Sequence, residues 1–381
     1  MIVEILRRST LPVLENIRQQ NNIEVSRECF QKIIAVDVNT FDLENHYAEI
    51  SLRTLRLSFF SDNLQDQFVI NKIKKLFSPR SLPDQEDDYT QLNYVDFAKK
   101  ILDHRDLLRT IPKYYEIAIT NRVEQDYQFS PKLEEEKADM SIEDFKKILD
   151  KVEEFSHQPI IAIEGFGEMT AHPQWKDFVN EVINRDLSCF LETAGIFWDE
   201  EVSNYWLQHP KKDFLTIIFK VEAIDNNLYK DIRGDRFPLD EILNQIEYYL
   251  LRRPEGAYLQ TIKTTETFKH LPKYHEYFSK YTKNIIIGKY NHYRGHLPEK
   301  RISPMEPFEQ IDCWHLKRDF KIDCWGDVWM CKQDFQKEFP LGNLFEKPIK
   351  EIYQKGQDYF EKHLQKWSFC KKCDEYYTYN F

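Results

Sequence analysis

The chain has 381 residues, 41% hydrophobic and 31% charged, with 53 basic against 64 acidic side chains and a formal net charge of −11. This composition suits a folded globular chain of one large domain with appendages, or of two domains. The negative excess repels nucleic-acid phosphates and anionic lipid, so neither nucleic acid nor membrane is an expected partner. The opening Met-Ile-Val-Glu-Ile-Leu-Arg-Arg lacks the long apolar core of a signal peptide. No run approaches the roughly 20 apolar residues of a membrane span. A cytoplasmic chain with reduced thiols is the expectation. Residues 1–110 carry no repeat or motif that assigns a role. Short strands are expected at Ile33–Val38 and Leu55–Phe60, and helices at Leu64–Phe77 and Tyr94–Leu108. A linker is expected at Ser78–Gln91, where two prolines adjoin an acidic run.

From Tyr114 strand and helix patterns alternate. Six β-rich runs stand out, at Tyr115–Thr120, Ile160–Glu164, Ser188–Glu192, Leu215–Lys220, Tyr258–Ile262 and Asn284–Lys289. Between most of them lie helical stretches: Ile142–Phe155, capped by Ser141, then Trp175–Arg185, Glu200–His209, Leu239–Leu251 and Leu271–Tyr281. Alternation of this kind implies parallel strands with right-handed crossovers, as an incomplete barrel or a doubly wound sheet. Either fold binds ligands at the C-terminal ends of its strands. The last segment differs. Phe320–Cys324 and Asp327–Cys331 flank Trp325-Gly326 as a hairpin, and Pro348–Gly356 reads as a short helix.

Five of the seven cysteines lie in that last segment: Cys313, Cys324, Cys331, Cys370 and Cys373. Cys370-Lys-Lys-Cys373 lets two thiolates converge on one metal or cluster, and a hairpin can return Cys331 towards Cys313. The pattern permits a four-thiolate site of Cys313, Cys331, Cys370 and Cys373. Polar residues around the tail pair argue against four inert buried thiols. Zinc and iron–sulfur fit the same ligands. Cys324 is spare: strand alternation at the hairpin makes it a packing residue, with substitution as a ligand the alternative.

At these residues the chain resembles the radical SAM superfamily with a SPASM or Twitch auxiliary-cluster domain, and most of all the spiro-SPASM proteins. The resemblance rests on Tyr115-Glu-Ile-Ala-Ile-Thr-Asn-Arg122, on Phe219-Lys-Val-Glu-Ala-Ile-Asp225 with Ile232-Arg-Gly234, on Cys313-Trp-His-Leu-Lys-Arg318, and on Cys373 through Phe381. It covers about residues 110–381, and more weakly Ala48–Phe60. It implies an α/β fold: a partial (β/α)6 TIM-like barrel over 111–300, a small cysteine-rich SPASM/Twitch domain over 301–381, and an α/β N-terminal extension over 1–110. It implies one auxiliary [4Fe-4S] cluster on the four late cysteines, since no Cys follows 373 to ligate a second.

The same resemblance exposes a gap. Radical SAM enzymes carry Cys-x3-Cys-x2-Cys after the first barrel strand. Here Val123, Tyr127 and Ser130 stand at the matching positions, and no Cys occurs between Cys29 and Cys189. Two carboxylates in that loop, Glu124 and Asp126, read as solvated. The S-adenosylmethionine-binding Gly-Gly-Glu-Pro appears as Phe166-Gly167-Glu168-Met169, and a Thr-Asn-Gly motif as Thr193-Ala194-Gly195. The resemblance makes Gly167, Glu168, Thr193 and Gly195 a vestigial cofactor site, with retained S-adenosylmethionine binding not expected. The loop Asn291–His296 reads as ordinary polar residues rather than an anion site built on His292, Arg294 and His296. The leading expectation is an iron–sulfur protein without conventional S-adenosylmethionine radical chemistry. One alternative is an oxidoreductase that works with a partner protein or modifies a peptide or small molecule. Another is a zinc-stapled interaction protein. The surround of Trp314, Trp325, Trp329, Tyr376 and Tyr377 shields the site or offers a partner surface.

Overall fold

The computed structural model describes residues 11–24, 29–36, 49–58, 63–77, 93–302, 312–373 and 375. The chain forms two compact units, residues 1–58 with 88–103, and residues 59–87 with 104–381.

In the first unit α1 (Leu11–Gln20) and α2 (Cys29–Val36) pack through Leu14 and Ile33, with Ile17, Ile23 and Ile34 around them. The strand expected at Ile33–Val38 is therefore corrected, since Ile33–Val36 is the end of a helix. Cys29 and Phe30 stand one turn before Ile33 and Ile34, a helical spacing that a window starting at Ile33 misses. The strand expected at Leu55–Phe60 is corrected too. Leu55 closes a 3-10 turn, and Arg56 leaves it with φ 49°, against strand geometry. Among the described residues this unit is helical, so the α/β reading of the extension fails there. The expected linker at Ser78–Gln91 lies outside the described residues.

In the second unit α3 (Leu64–Phe77) matches its expected span, and α4 (Tyr94–Asp103) belongs to the first unit. The expected Tyr94–Leu108 helix breaks at His104, and residues Arg105–Leu108 form a 3-10 turn. The six expected strands are present as β1 (Tyr114–Ile117), β2 (Ile160–Ile163), β3 (Ser188–Thr193), β4 (Leu215–Lys220), β5 (Ala257–Lys263) and β6 (Ile285–Lys289). They pair in parallel in sequence order. The crossovers are α5 (Ile142–Phe155), α6 (Trp175–Asn184), α7 (Glu200–Gln208), α8 (Asn226–Arg233), α9 (Leu239–Leu250) and α10 (Leu271–Phe278). Ser141 caps α5 by accepting from the Asp144 N–H. The sequence pattern missed α8, where three apolar residues, Leu228, Tyr229 and Ile232, are spread over eight positions. Asp225 starts it by accepting from the Leu228 N–H.

Strand residues alternate in direction. Tyr115, Ile117, Ile161, Ile163, Leu191, Ile217, Phe219 and Leu259 are fully buried in the core shared with the helices. Their neighbours Glu116, Glu192, Lys220, Gln260 and Gly288 line the barrel's interior.

The C-terminal segment does not stand apart from this sheet. After α11 (Trp314–Arg318), β7 (Asp319–Ile322) pairs in parallel with β1. It turns back at Gly326 into antiparallel β8 (Asp327–Trp329), followed by β9 (Pro340–Asn343), completing the order β6-β5-β4-β3-β2-β1-β7-β8-β9. Then come α12 (Ile349–Leu364) and the one-turn α13 (Ser368–Lys371). The helix expected to stop at Gly356 runs on to Leu364. Gly356 is there for space: a Cβ would stand 2.5 Å from Nη2 of Arg109, whose Nη1 donates to the Tyr353 carbonyl.

Candidate functional site

Cys313, Cys331, Cys370 and Cys373 line one pocket. Each arrives differently. Cys313 is the residue before α11, and Cys331 follows β8 in a turn closed by Asp334 N–H on the Cys331 carbonyl. One turn of backbone brings the last two together, with Cys373 N–H donating to the Cys370 carbonyl at 3.1 Å. Leu316, Met330, Phe360 and Phe369 form the apolar wall. Phe339 sits edge-on to both Trp367 and Phe369, at 4.7 and 5.0 Å, behind it. None of the six cysteines with described side chains forms a disulfide. Burial pushes the Cys313 thiol up to about 12 and Cys370 up to about 11. Cys331 and Cys373 are raised well above the thiol range, by burial and then by neighbouring acidic groups that include the other thiols. Burial is costly for bare thiolates and suits thiolates neutralised by bound metal. Cys324 is buried in the main core rather than in this pocket.

One hydrogen-bonded edge supports the pocket. His363 Nε2 accepts from the Cys313 N–H at 2.9 Å. His315 meets Asp319 through Nδ1 at 2.5 Å and Glu375 through Nε2 at 3.4 Å, and Lys332 meets Glu375 at 2.8 Å. Burial opposes a charge on His315, but Asp319 and Glu375 outweigh it and hold the imidazole up at about 9. His315, Lys332 and Glu375 face both the thiol pocket and a larger cavity.

That cavity, about 690 Å³, is the inside of the barrel. Its walls carry ions that the sequence pattern did not single out. Lys321 pairs with Glu116 across β7 and β1, and Lys220 pairs with Glu192 at 3.1 Å. Burial disfavours ionised Glu116, yet Lys321 and Lys332 hold its carboxyl at about 2. Glu164 is raised well above the carboxylate range by burial and then by Glu192 and Glu116. The available signal was a charged residue within otherwise apolar strands, as in Tyr114-Tyr-Glu-Ile117 and Leu215-Thr-Ile-Ile-Phe-Lys220. Ligand atoms of Glu116, His315 and Asp319 lie mutually within 4.8 Å. Lys321 on Glu116 and Arg318 on Asp319 already neutralise that group as an ion-pair network.

The loop after β1 is occupied by side chains. Tyr127 donates to Glu222 at 2.8 Å, and Arg233 grips the same carboxylate through Nε at 2.5 Å and Nη2 at 2.8 Å. The Arg233 guanidinium lies 4.0 Å over the Tyr127 ring. Arg233 Nη1 also donates to Gln125 Oε1, whose Nε2 donates to the Tyr229 hydroxyl. Glu124 pairs with Arg236, and Asp126 with Lys132 in an exposed, solvated pair. Val123 is exposed, and the Ser130 hydroxyl makes a long contact of 3.5 Å with the Pro131 carbonyl.

The residues matched to cofactor binding have structural partners here. A Cβ on Gly167 would stand 2.9 Å from the Arg122 carbonyl oxygen, and the Glu168 N–H donates to that oxygen. Glu168 Oε1 accepts from the Thr170 and Thr193 hydroxyls at 2.5 and 2.6 Å, and Oε2 from the Ala194 N–H at 2.8 Å. Gly195 holds φ +77°. Phe166 stacks on Trp329 at 6.1 Å and contacts Tyr293 and Phe335. In the mouth loop His292 Nδ1 accepts from the Gly295 N–H, and His296 lies edge-on to Phe335. Tyr293 and Arg294 adopt φ 48° and 60°, which costs on the order of 1–3 kcal/mol each. Trp329 is buried, with its Nε1–H on Asp323. Tyr376 and Tyr377 lie outside the described residues.

Residues 313–374 match the SPASM family, an iron–sulfur cluster-binding domain. The fold is that of the radical SAM superfamily, and the C-terminal part of the chain is its SPASM domain. Among solved structures, Streptococcus suis SuiB bound to its precursor peptide SuiA superimposes with TM-score 0.57 at 13% identity, covering 81% of each chain. Native anSMEcpe with bound AdoMet superimposes with TM-score 0.53 at 15% identity, covering 69% of this chain and 87% of that one. By sequence, an uncharacterized protein of Treponema pallidum (strain Nichols) is 28% identical over 372 residues, 91% of this chain and 97% of its own. A Pyrococcus furiosus tungsten-containing aldehyde ferredoxin oxidoreductase cofactor-modifying protein is 35% identical over 92 residues, 24% of this chain and 26% of its own. Among the described residues no helix is long and apolar enough to cross a membrane.

Proposed function

We propose that this protein holds one [4Fe-4S] cluster on Cys313, Cys331, Cys370 and Cys373, and that its barrel does not run conventional S-adenosylmethionine radical chemistry. The carrying observation is a contrast. Four thiols line one pocket, whereas the loop after β1 has no thiol and is filled by the Tyr127–Glu222–Arg233–Gln125 network. Such a cluster supplies one-electron transfer at a potential set by charge, hydrogen bonds and burial. The chain's own residues do the rest. Phe369, Leu316 and Met330 exclude water, and His363 holds the Cys313 backbone by its N–H. Iron–sulfur is favoured over zinc by spacing. Tetrahedral zinc at about 2.3 Å from each sulfur draws all four within about 4 Å of one another. Among the described residues the set of three metal-ligand atoms mutually within 4.8 Å is Glu116, His315 and Asp319, not three of these thiols.

The barrel residues do not fit S-adenosylmethionine in the family's usual manner. Both Glu168 oxygens are spent on Thr170, Thr193 and Ala194, and Gly167 abuts the Arg122 backbone. The cavity supports a second reading, in which the barrel binds a polar small molecule or peptide for a cluster-dependent oxidoreductase working with a partner protein.

Anaerobic reconstitution tests the first reading. It expects about four iron and four sulfide per chain, and no 5′-deoxyadenosine from added S-adenosylmethionine and dithionite. Zinc without sulfide sinks it. So does twice that iron together with 5′-deoxyadenosine.

A further inference from the structure

We infer that Arg294, a residue of the barrel, tunes the cluster of the C-terminal domain by holding a positive charge, outside any salt bridge among the described residues, against the wall of the thiol pocket beside Cys370. This rests on the iron–sulfur reading above.

Among the described residues, Lys332, His315 and Arg294 lie near the thiol pocket and differ in pairing, Arg294 facing Asp334 without a salt bridge. Lys332 is paired with Glu375, and His315 with Asp319 and Glu375. Among the described residues Arg294 forms no salt bridge, and its Nε is buried with no hydrogen-bond partner. Its guanidinium carbon lies 3.5 Å over the ring of Phe369, the neighbour of Cys370. Phe369 itself lines the thiol pocket, so the Arg294 charge sits on that wall. Stacking on Phe369 fixes where the charge sits.

The backbone is built to deliver it. Tyr293, Arg294 and Gly295 hold φ of 48°, 60° and 90° in succession. His292 caps the turn, and the Tyr293 ring is wedged against Phe166 and Phe335, both at 5.9 Å. Two non-glycine residues persist there because the surroundings over-determine the turn. The loop also supplies Asn291 and Tyr293 to the barrel cavity. It is thus a physical link between cavity and thiol pocket.

The electrostatics sets the sign. Reduction adds one electron, and so one negative charge, to a cluster already carrying four thiolates. A fixed cation nearby stabilises the reduced form more than the oxidised one and raises the reduction potential.

The test is a potentiometric titration of reconstituted full-length protein, with dithionite as electron donor and visible absorption and electron paramagnetic resonance as readouts. Wild type, Arg294→Gln, Arg294→Lys and the distant Arg252→Gln are compared, each after iron and sulfide analysis. With cluster content equal, Arg294→Gln is expected to lower the midpoint. At the wild-type midpoint its reduced-to-oxidised ratio falls about tenfold, which is about 59 mV for one electron. Arg294→Lys, which keeps the charge, moves less, and Arg252→Gln does not move. An unchanged midpoint in fully loaded Arg294→Gln overturns the inference, as does a shift in Arg294→Lys as large as in Arg294→Gln. If Arg294→Gln fails to load, the lysine variant decides: a midpoint nearer to wild type than the expected drop supports the charge, and a full drop refutes it. Wild-type protein that takes up no iron overturns the iron–sulfur reading itself, and this inference with it.

Discussion

The loop after β1 and the thiol pocket are both polar settings inside one folded unit, but they solve opposite problems. The loop spends its buried charge internally. Arg233, Glu222, Tyr127 and Gln125 are bonded chiefly to one another. The pocket gathers four thiols whose shared burial is unfavourable to their anions until something neutralises them. A binding site is thus recognised by unspent chemistry, whereas a satisfied buried network is part of the scaffold.

The contrast breaks most directly at Cys370. Cys370→Ser is expected to drop reconstituted iron from about four per chain to a small fraction, with loss of the visible absorption band and of protease resistance in 312–373. An unchanged iron count would falsify that ligand assignment. Next comes the network in the loop. Arg233→Ala leaves Glu222 buried without its cation and is expected to cost about 3–5 kcal/mol in denaturant unfolding. Iron content should stay at wild-type level, and a parallel loss of iron would dissolve the distinction between the two regions.

A smaller, pH-dependent effect is expected at Glu164. Its folded pKa is raised above its unfolded value. Its contribution to stability is therefore full below the ordinary carboxylate range, about 4.3, and is lost as pH rises through the raised value. Glu164→Gln keeps the shape without the ionisation. Its melting temperature should match wild type near pH 4 and exceed it increasingly above. A difference that stays flat across pH sinks this account. The smallest effect is expected at Cys324, packed in the main core. Cys324→Ala should cost about 1 kcal/mol and leave iron and sulfide unchanged.

The strands of the barrel were legible because a parallel sheet buried on one face repeats apolar residues at a period of two, as in Leu215–Lys220. α5 was legible down to its cap, because Ser141 and the 3.6-residue spacing agree. Elsewhere local pattern misled. Gly356 looked like a helix stop, yet it sits mid-helix to make room for Arg109, which comes from before the first barrel strand. Ile33–Val36 looked like a strand because the window cut off the turn before it. The paired ions of the barrel wall went unseen, since their partners lie on different strands.

The amino-acid order alone settled which elements form along most of the barrel. It also established that no sulfur ligand of the cysteine type stands between Cys29 and Cys189 and that the cysteines gather late in the chain. Those properties are local or compositional. Only the tertiary structure decided that β7 adds to β1, that Cys313 and Cys331 meet the Cys370–Cys373 turn, and that Arg294 reaches Phe369 from the barrel. Contacts between distant segments depend on how whole faces pack, and one-dimensional spacing carries no record of that.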